Sequence, residues 1–171
     1  MRERQPVRDA RRDAEFTAFA RGTGTRLLRV ATLLTAEPPD AGPRARRLLT
    51  LALAHTYAHW DRPPGEDPYE RTRAHLAVRF ARGNWYRRLF PVPAQGPLAV
   101  LTARERAVLV LRVYEGVGEE QTAALLGLPT ERVHLICERA VVRVLRPPPP
   151  APGRAVVRRA PSWARGVGRP S

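Results

Sequence analysis

From about Asp9 onward, Phe16, Phe19, Thr23, Leu27, Val30 and Leu34 recur at spacings of three and four. That period puts them on one face of an amphipathic helix. Residues 1–8 read as a basic lead-in to it. Gly22 and Gly24 weaken the helix without ending it. The break comes at AEPPDAGP, residues 36–43. A second helix is predicted from Arg44 to Trp60, with Leu49, Leu53, Tyr57 and Trp60 along its buried side. DRPPGEDP, residues 61–68, forms the next turn. A third helix is predicted from Tyr69 to Leu89, carrying Leu76, Phe80 and Trp85 among Arg71, Arg73, Arg79, Arg82, Arg87 and Arg88.

PVPAQGP, residues 91–97, reads as a linker, and a new pattern starts at LTARERAVLVLRVYEG. Thr102 and Glu105 have capping-box spacing, which satisfies two backbone donors that a helix start leaves unpaired. Val108, Leu109, Leu111 and Val113 follow, and Gly116 and Gly118 end that helix. EEQTAALLGLPTERVHLICERAVVRVL, residues 119–145, predicts two further helices about a tight turn. Ala123 is small where crossing helices come close, and Gly127 falls where the turn needs a positive φ. Leu128 closes the small core, while Val133, Ile136, Cys137 and Ala140 give the last helix its apolar face. Thr130 is placed to cap that helix through its hydroxyl. These are the marks of a helix-turn-helix, with an ordinary helical hairpin as the plainer alternative.

The fold expected is all-α, with two small helical domains joined by a Pro-rich linker. The first domain takes residues 9–90, the linker 91–100 and the second domain 101–146. Residues 147–171 hold five arginines, no acid and many prolines and glycines, and are expected to be a disordered basic tail.

Charge sharpens this picture. The 171 residues carry a formal charge of +14, and all 30 basic residues are arginine. A guanidinium stays charged and offers a planar donor fork suited to phosphate oxygens. Such an excess points to a polyanion, with nucleic acid as the first candidate. A GC-rich coding bias explains the missing lysine but not the excess of positive charge. Cys137 is the single cysteine, so no internal disulfide forms. No signal-peptide core and no membrane-length apolar run is present, and the expectation is a soluble, cytoplasmic protein.

Several stretches together resemble the sigma-70 family of transcription initiation factors, in particular the short actinobacterial type of its extracytoplasmic-function group. DAEFTAFARGTGTRLLRVATLLT, residues 13–35, is similar to the start of sigma region 2, ALAHTYAHW at 52–60 to the end of its central helix, and NWYRR at 84–88 to its closing run. LTARERAVLVLRVYEGVGEEQTAALLGLPTERV, residues 101–133, resembles region 4 closely. The likeness covers residues 9–145. It implies a factor that binds RNA polymerase core and promoter DNA, with an anti-sigma protein as a further partner and with neither cofactor nor enzymatic activity. The resemblance assigns the upstream element to Thr130, Arg132, His134, Leu135, Arg139 and Arg143. It assigns the downstream element to Arg79, Arg82, Trp85, Arg87 and Arg88.

Two departures from the family pattern bear on these assignments. The central helix of region 2 usually presents an acidic, amide-bearing patch to polymerase. Here the corresponding run is Ala45-Arg46-Arg47-Leu48-Leu49-Thr50-Leu51. Of these, Arg46, Arg47, Thr50 and Leu51 stand at the core-contact positions, where arginine would meet basic residues at a cost. The recognition helix has His134-Leu135-Ile136 in place of a Lys-Ser-Arg run. Leu135 can meet a thymine methyl, whereas Ile136 is expected to turn into the core. Phosphate binding survives on Arg132, Arg139 and Arg143, so affinity is kept while sequence preference shifts.

Other constellations carry less. His55 and His59 have the i, i+4 spacing of a zinc pair, but Thr56 stands where a zinc hydrolase needs glutamate, and no third ligand lies nearby in sequence. Stacked histidines are expected instead. Glu115, Glu119 and Glu120 read as helix-start carboxylates that favour the dipole, not as an acid/base pair. Three functional readings stay open: a promoter-recruiting sigma factor, a sigma-like DNA-binding regulator that no longer binds core polymerase, and a protein-interaction module on the same fold.

Overall fold

The computed structural model describes residues 4–38, 42–60, 67–83 and 94–146. These are helical throughout, apart from turns, with no strand among the described residues. Helix α1 runs Arg4–Thr35, α2 Pro43–Ala58 and α3 Pro68–Arg82. After a 3₁₀ turn at Pro97–Val100 come α4 (Ala103–Leu109), a π turn (Val110–Tyr114), α5 (Glu119–Leu126) and α6 (Thr130–Leu145).

The expected lead-in of residues 1–8 is corrected from Arg4 onward, since α1 begins there. Pro6 lies in the first turn, where a backbone N–H has no helical acceptor, so proline does not interrupt it. Leu27, Val30 and Leu34 are buried as expected. Phe16 and Phe19 are half-buried and meet the Trp60 ring at 5.2 and 5.3 Å between centroids.

Helix α2 buries a different face from the one expected. Arg44, Ala45, Leu48, Ala52 and Thr56 point inward, while Leu49, Leu53 and Tyr57 are only half-buried. The reason is packing on two sides: α2 lies against both α1 and α3, and small side chains let three helices approach. Arg44 tolerates burial because Glu37 pairs with it at 3.0 Å. The same carboxylate accepts from the backbone N–H of Arg44 and of Ala45, at 3.2 and 2.8 Å. Glu37 thus caps α2 from outside the helix. Between α2 and α3 the buried hydroxyls of Thr56 and Thr72 lie 2.7 Å apart. Thr72 donates to the Pro68 carbonyl, which leaves Thr56 as the donor of the pair.

Helix α3 stops at Arg82, short of the Leu89 expected. Gly83 has extended backbone there, and glycine is a poor helix former. Residues 84–93, which include Trp85, Arg87, Arg88 and the start of the linker, lie outside the described residues, as does the tail from 147. Where the chain is described again, the Gln95 N–H donates to the Ala36 carbonyl at 2.7 Å.

The later helices do not stand apart from the first three. Ala107 and Val110 belong to the same buried cluster as Leu27, Val30, Leu34, Leu76 and Phe80. Ala77 of α3 packs with Leu111 and Val117. A separate cluster of Val108, Ala123, Val133 and Ile136 holds the α4–α6 unit together. No described helix is long and apolar enough to cross a membrane.

Candidate nucleic-acid interface

The turn between α5 and α6 forms as the local sequence requires. Gly127 adopts φ +65°, and the Leu128 N–H bonds back to the Ala123 carbonyl at 3.0 Å. Ala123 is buried where the two helices cross. Thr130 does not cap α6: Pro129 holds the cap position, with no side-chain bond, and Thr130 is the first helical residue. Proline's fixed φ pre-sets the entry, so the hydroxyl is not needed. At the other helix start the expected capping box is present. Glu105 N–H donates to the Thr102 hydroxyl at 3.3 Å, and Thr102 N–H to the Glu105 carboxylate at 2.8 Å.

Helix α6 buries Val133, Ile136 and Ala140 and turns Arg132, His134, Leu135, Glu138, Arg139 and Arg143 outward. Ile136 is core, as its chemistry demands, and Leu135 is 53% exposed. The outer residues are not equally free to meet DNA. His134 lies between two carboxylates, with Nδ1 at 3.4 Å from Glu119 and Nε2 at 3.2 Å from Glu138. Arg112 approaches the same Glu119 at 3.7 Å. Arg143 Nη1 donates to both oxygens of Glu105, at 3.0 and 3.1 Å. Among the described residues Arg139 makes only a 3.3 Å contact to the Leu135 carbonyl, within its own helix. Arg132 and Arg139 are therefore the arginines of this face best placed to reach phosphate.

On the first three helices, Arg82 is exposed at the end of α3 and Arg79 is half-buried one turn before it. Arg46, Arg47 and Thr50 are exposed on the outer side of α2, and Leu51 is half-buried. The Thr50 hydroxyl is turned to the Arg46 carbonyl at 2.9 Å. His55 and His59 are not stacked as expected: their rings meet tilted by 37°, at 4.4 Å between centroids, and it is His75 of α3 that stacks on His55, at 4.0 Å. Among the described residues no group of three such side chains is arranged to hold a metal.

Sequence reasoning missed one site. Glu115 is not at a helix start. The π turn closes with the Glu115 N–H on the Val110 carbonyl at 2.9 Å, and the side chain beyond it reaches α1 and α3. Its carboxylate has no exposed surface. Tyr69 donates its hydroxyl to it at 2.9 Å, and Arg26 and Arg73 approach at 3.3 and 3.4 Å. Burial, together with this bond, pushes the Tyr69 hydroxyl well above its usual pKa, so it stays a donor. The signal was present in α3: Tyr69 and Arg73 stand at i, i+4, and an arginine on a buried face needs a carboxylate.

Comparison with known proteins follows the same division of the chain. Residues 98–145 match the family described as Sigma-70, region 4. The chain is 29% identical over 153 residues to the RNA polymerase sigma-E factor of Streptomyces coelicolor, covering 76% of this chain and 84% of that protein. It is also 29% identical to the sigma-E factor of Streptomyces avermitilis, with 76% and 83% covered. The corresponding protein of Streptomyces antibioticus is 28% identical, with 76% and 82% covered. No solved structure matches the chain. Residues 98–145 thus carry a Sigma-70 region 4 domain folded as a helix-turn-helix, and through the preceding helices as well the chain is similar to Streptomyces RNA polymerase sigma-E factors.

Proposed function

We propose that this protein is a transcription initiation factor, acting in the cytoplasm, that brings RNA polymerase core to promoter DNA. In this reading the α4–α6 unit lays α6 in the major groove of the upstream element. Arg132 and Arg139 hold phosphates or a guanine edge, and Leu135 meets a thymine methyl. Arg79 and Arg82 at the end of α3, together with Trp85, Arg87 and Arg88 later in the sequence, serve the downstream element. The observation that carries the reading is the α5–Gly127–α6 turn, with a buried inner face and two available arginines outside. The relatives' name, RNA polymerase sigma-E factor, supports the polymerase half of it.

A second reading has its own observation. Arg46 and Arg47 are exposed on α2 where the family presents acid, which favours a DNA-binding regulator without core polymerase. One experiment separates them: the tagged protein is mixed with Streptomyces coelicolor core polymerase, and the eluate is tested for transcription from genomic fragments it selects. Co-elution with initiation from discrete start sites is expected. Fragment binding without polymerase establishes the regulator instead, and neither activity defeats both readings.

A further inference from the structure

Helix α6 packs on α4, α5 and the 3₁₀ turn with one face and carries an apolar seam on the opposite one. Leu135 and Val142 stand seven residues apart and so lie nearly above one another along its outer midline. They are 53% and 59% exposed, and Leu145 beside them is 75% exposed. Single exposed apolar side chains are ordinary, but three along one line of one helix call for a cover. Val142 and Leu145 offer a phosphate no donor, so the DNA contacts of the proposed function do not account for them. Charge is sorted along the same seam. Glu131 and Glu138, seven apart, flank it on the side of Leu145. Arg132, Arg139 and Arg146, again seven apart, flank it on the other side, and all five charged residues are exposed.

We propose that a second copy of this chain covers the seam, with the two α6 helices parallel about a two-fold axis, and that this pairing competes with DNA for α6. The charge rows select both the occupant and the direction. A two-fold axis along parallel helices sets the acidic row of each copy beside the basic row of the other. Glu131 then stands next to Arg132 of the second copy, and Glu138 next to its Arg139. An antiparallel pair sets acid beside acid and arginine beside arginine, at a cost. Leu135 and Val142 meet their own copies across the axis, and Leu145 meets the aliphatic stem of Arg146. The charged groups have capacity left among the described residues. His134 approaches Glu138 through Oε1, which leaves Oε2, and Arg139 uses Nε on its own helix, which leaves both terminal nitrogens. Exposed ion pairs add little strength, so they set the register while the apolar seam drives contact. One helix face is small beside the ~1,200 Å² or more that stable interfaces bury, so the dimer is weak and forms as concentration rises. The pairing stands apart from the initiation-factor reading. Its competition with DNA rests on that reading, since Arg132, Leu135 and Arg139 cannot serve both at once.

The test is sedimentation velocity of the full chain over a wide concentration range, with reductant present so that Cys137 forms no bridge between copies. A monomer that converts to a dimer as concentration rises is expected. Val142→Gln with Leu145→Gln, both outside the proposed DNA contacts, should weaken the dimer about tenfold or more, since four apolar side chains leave the seam. The helix content of this variant, and its affinity for a random-sequence duplex at low protein concentration, should match the wild type. Two charge variants report the direction. Glu131→Arg with Glu138→Arg makes both rows basic, and Arg132→Glu with Arg139→Glu makes them acidic except at Arg146. Each should stay monomeric alone, and an equal mixture should form the mixed dimer, which also shows that both are folded. Addition of the duplex to the wild type should convert dimer to DNA-bound monomer. A monomer at every concentration overturns the proposal, and so does a dimer that Val142→Gln with Leu145→Gln leaves intact. A mixture no more dimeric than its parts overturns the parallel arrangement. A dimer that binds the duplex without dissociating overturns the competition. If no duplex binds at all, the DNA half of the initiation-factor reading falls, and sedimentation alone judges the pairing.

Discussion

Arg143 near the end of α6 bonds both carboxylate oxygens of Glu105, the residue that closes the capping box of α4, at 3.0 and 3.1 Å. One side chain thus ties the last helix of the unit to the first. Partial burial pushes the Glu105 carboxyl up, but hydrogen bonds from Thr102 and the Arg143 charge outweigh it and hold the group below its usual range. A carboxylate with a depressed folded pKa stabilises the fold above its unfolded value and loses that contribution as pH falls through the folded one. Arg143 is half exposed, so Arg143→Ala should cost about 0.2–1 kcal/mol of stability near neutral pH, measured by urea unfolding. The cost should shrink in acid, once Glu105 is protonated. A cost that grows toward low pH contradicts the pairing.

Gly127 sits at φ +65° with open space where a Cβ would stand. Replacement by alanine therefore meets no clash, and its penalty is purely that of the left-handed backbone. Gly127→Ala should cost about 1–2 kcal/mol. It should also weaken DNA binding, because relief of that strain changes the angle between α5 and α6. Unchanged stability by thermal unfolding would mean that the turn is not the left-handed cap it is taken to be. A loss well above that range would mean that neighbouring side chains crowd the position.

His75 is half-buried against His55, with His59 beyond it and Arg79 one turn along its own helix. Burial first, then the charges of His55, Arg79 and His59, lower its pKa to about 4. The unfolded chain therefore binds a proton that the folded chain refuses between the ordinary value of 6.5 and about 4. Stability from this site is complete above that window and is lost as pH falls through it. His75→Gln removes the titration. Its melting temperature should drop less than the wild type's between pH 7 and pH 4.5, with the Glu105 contribution common to both. Parallel pH profiles would refute the assignment.

Much of this fold was legible because its signals are local. The capping box at Thr102 and Glu105, the left-handed Gly127 and the 3–4 period of Leu27, Val30 and Leu34 each need only neighbours in sequence. The α2 face was misread because its burial is set by two other helices. Ala45, Ala52 and Thr56 face inward since α1 and α3 both press there, a fact no period within α2 contains. Arg44 is buried only because Glu37 waits for it across a break in the chain. Glu115 was misread for the same reason: its partners lie 46, 42 and 89 residues away in sequence. On α6 the pattern correctly separated Ile136 from the outer face, but not Arg143 and His134 from Arg139. Pairing of Arg143 with Glu105 and of His134 with Glu119 is a tertiary property, whereas Glu138 stands one turn from His134 on the same helix.

Arg139 should consequently dominate DNA binding by α6. It is exposed, lies on the side away from Val133 and Ile136, and forms no ion pair among the described residues. His134 and Arg143 must give up carboxylate partners before they meet a phosphate, and that loss offsets part of any gain. Arg139→Ala should cost about 1–3 kcal/mol and relax preference at one base pair if the guanidinium reads a guanine edge. If it holds a phosphate, the loss should be uniform across sequences and the salt slope should fall by about 0.9. Arg143→Ala should cost less affinity than Arg139→Ala on every duplex. Ile136→Ala should act on the other side of the helix, lowering the melting temperature by opening a cavity beside Val133 and Ala123. The measurement is affinity of each folded variant on a duplex panel at two salt concentrations, beside thermal unfolding. Equal losses for Arg139→Ala and Arg143→Ala would mean that the Glu105 pair opens freely on DNA. No loss for either would mean that α6 does not face DNA.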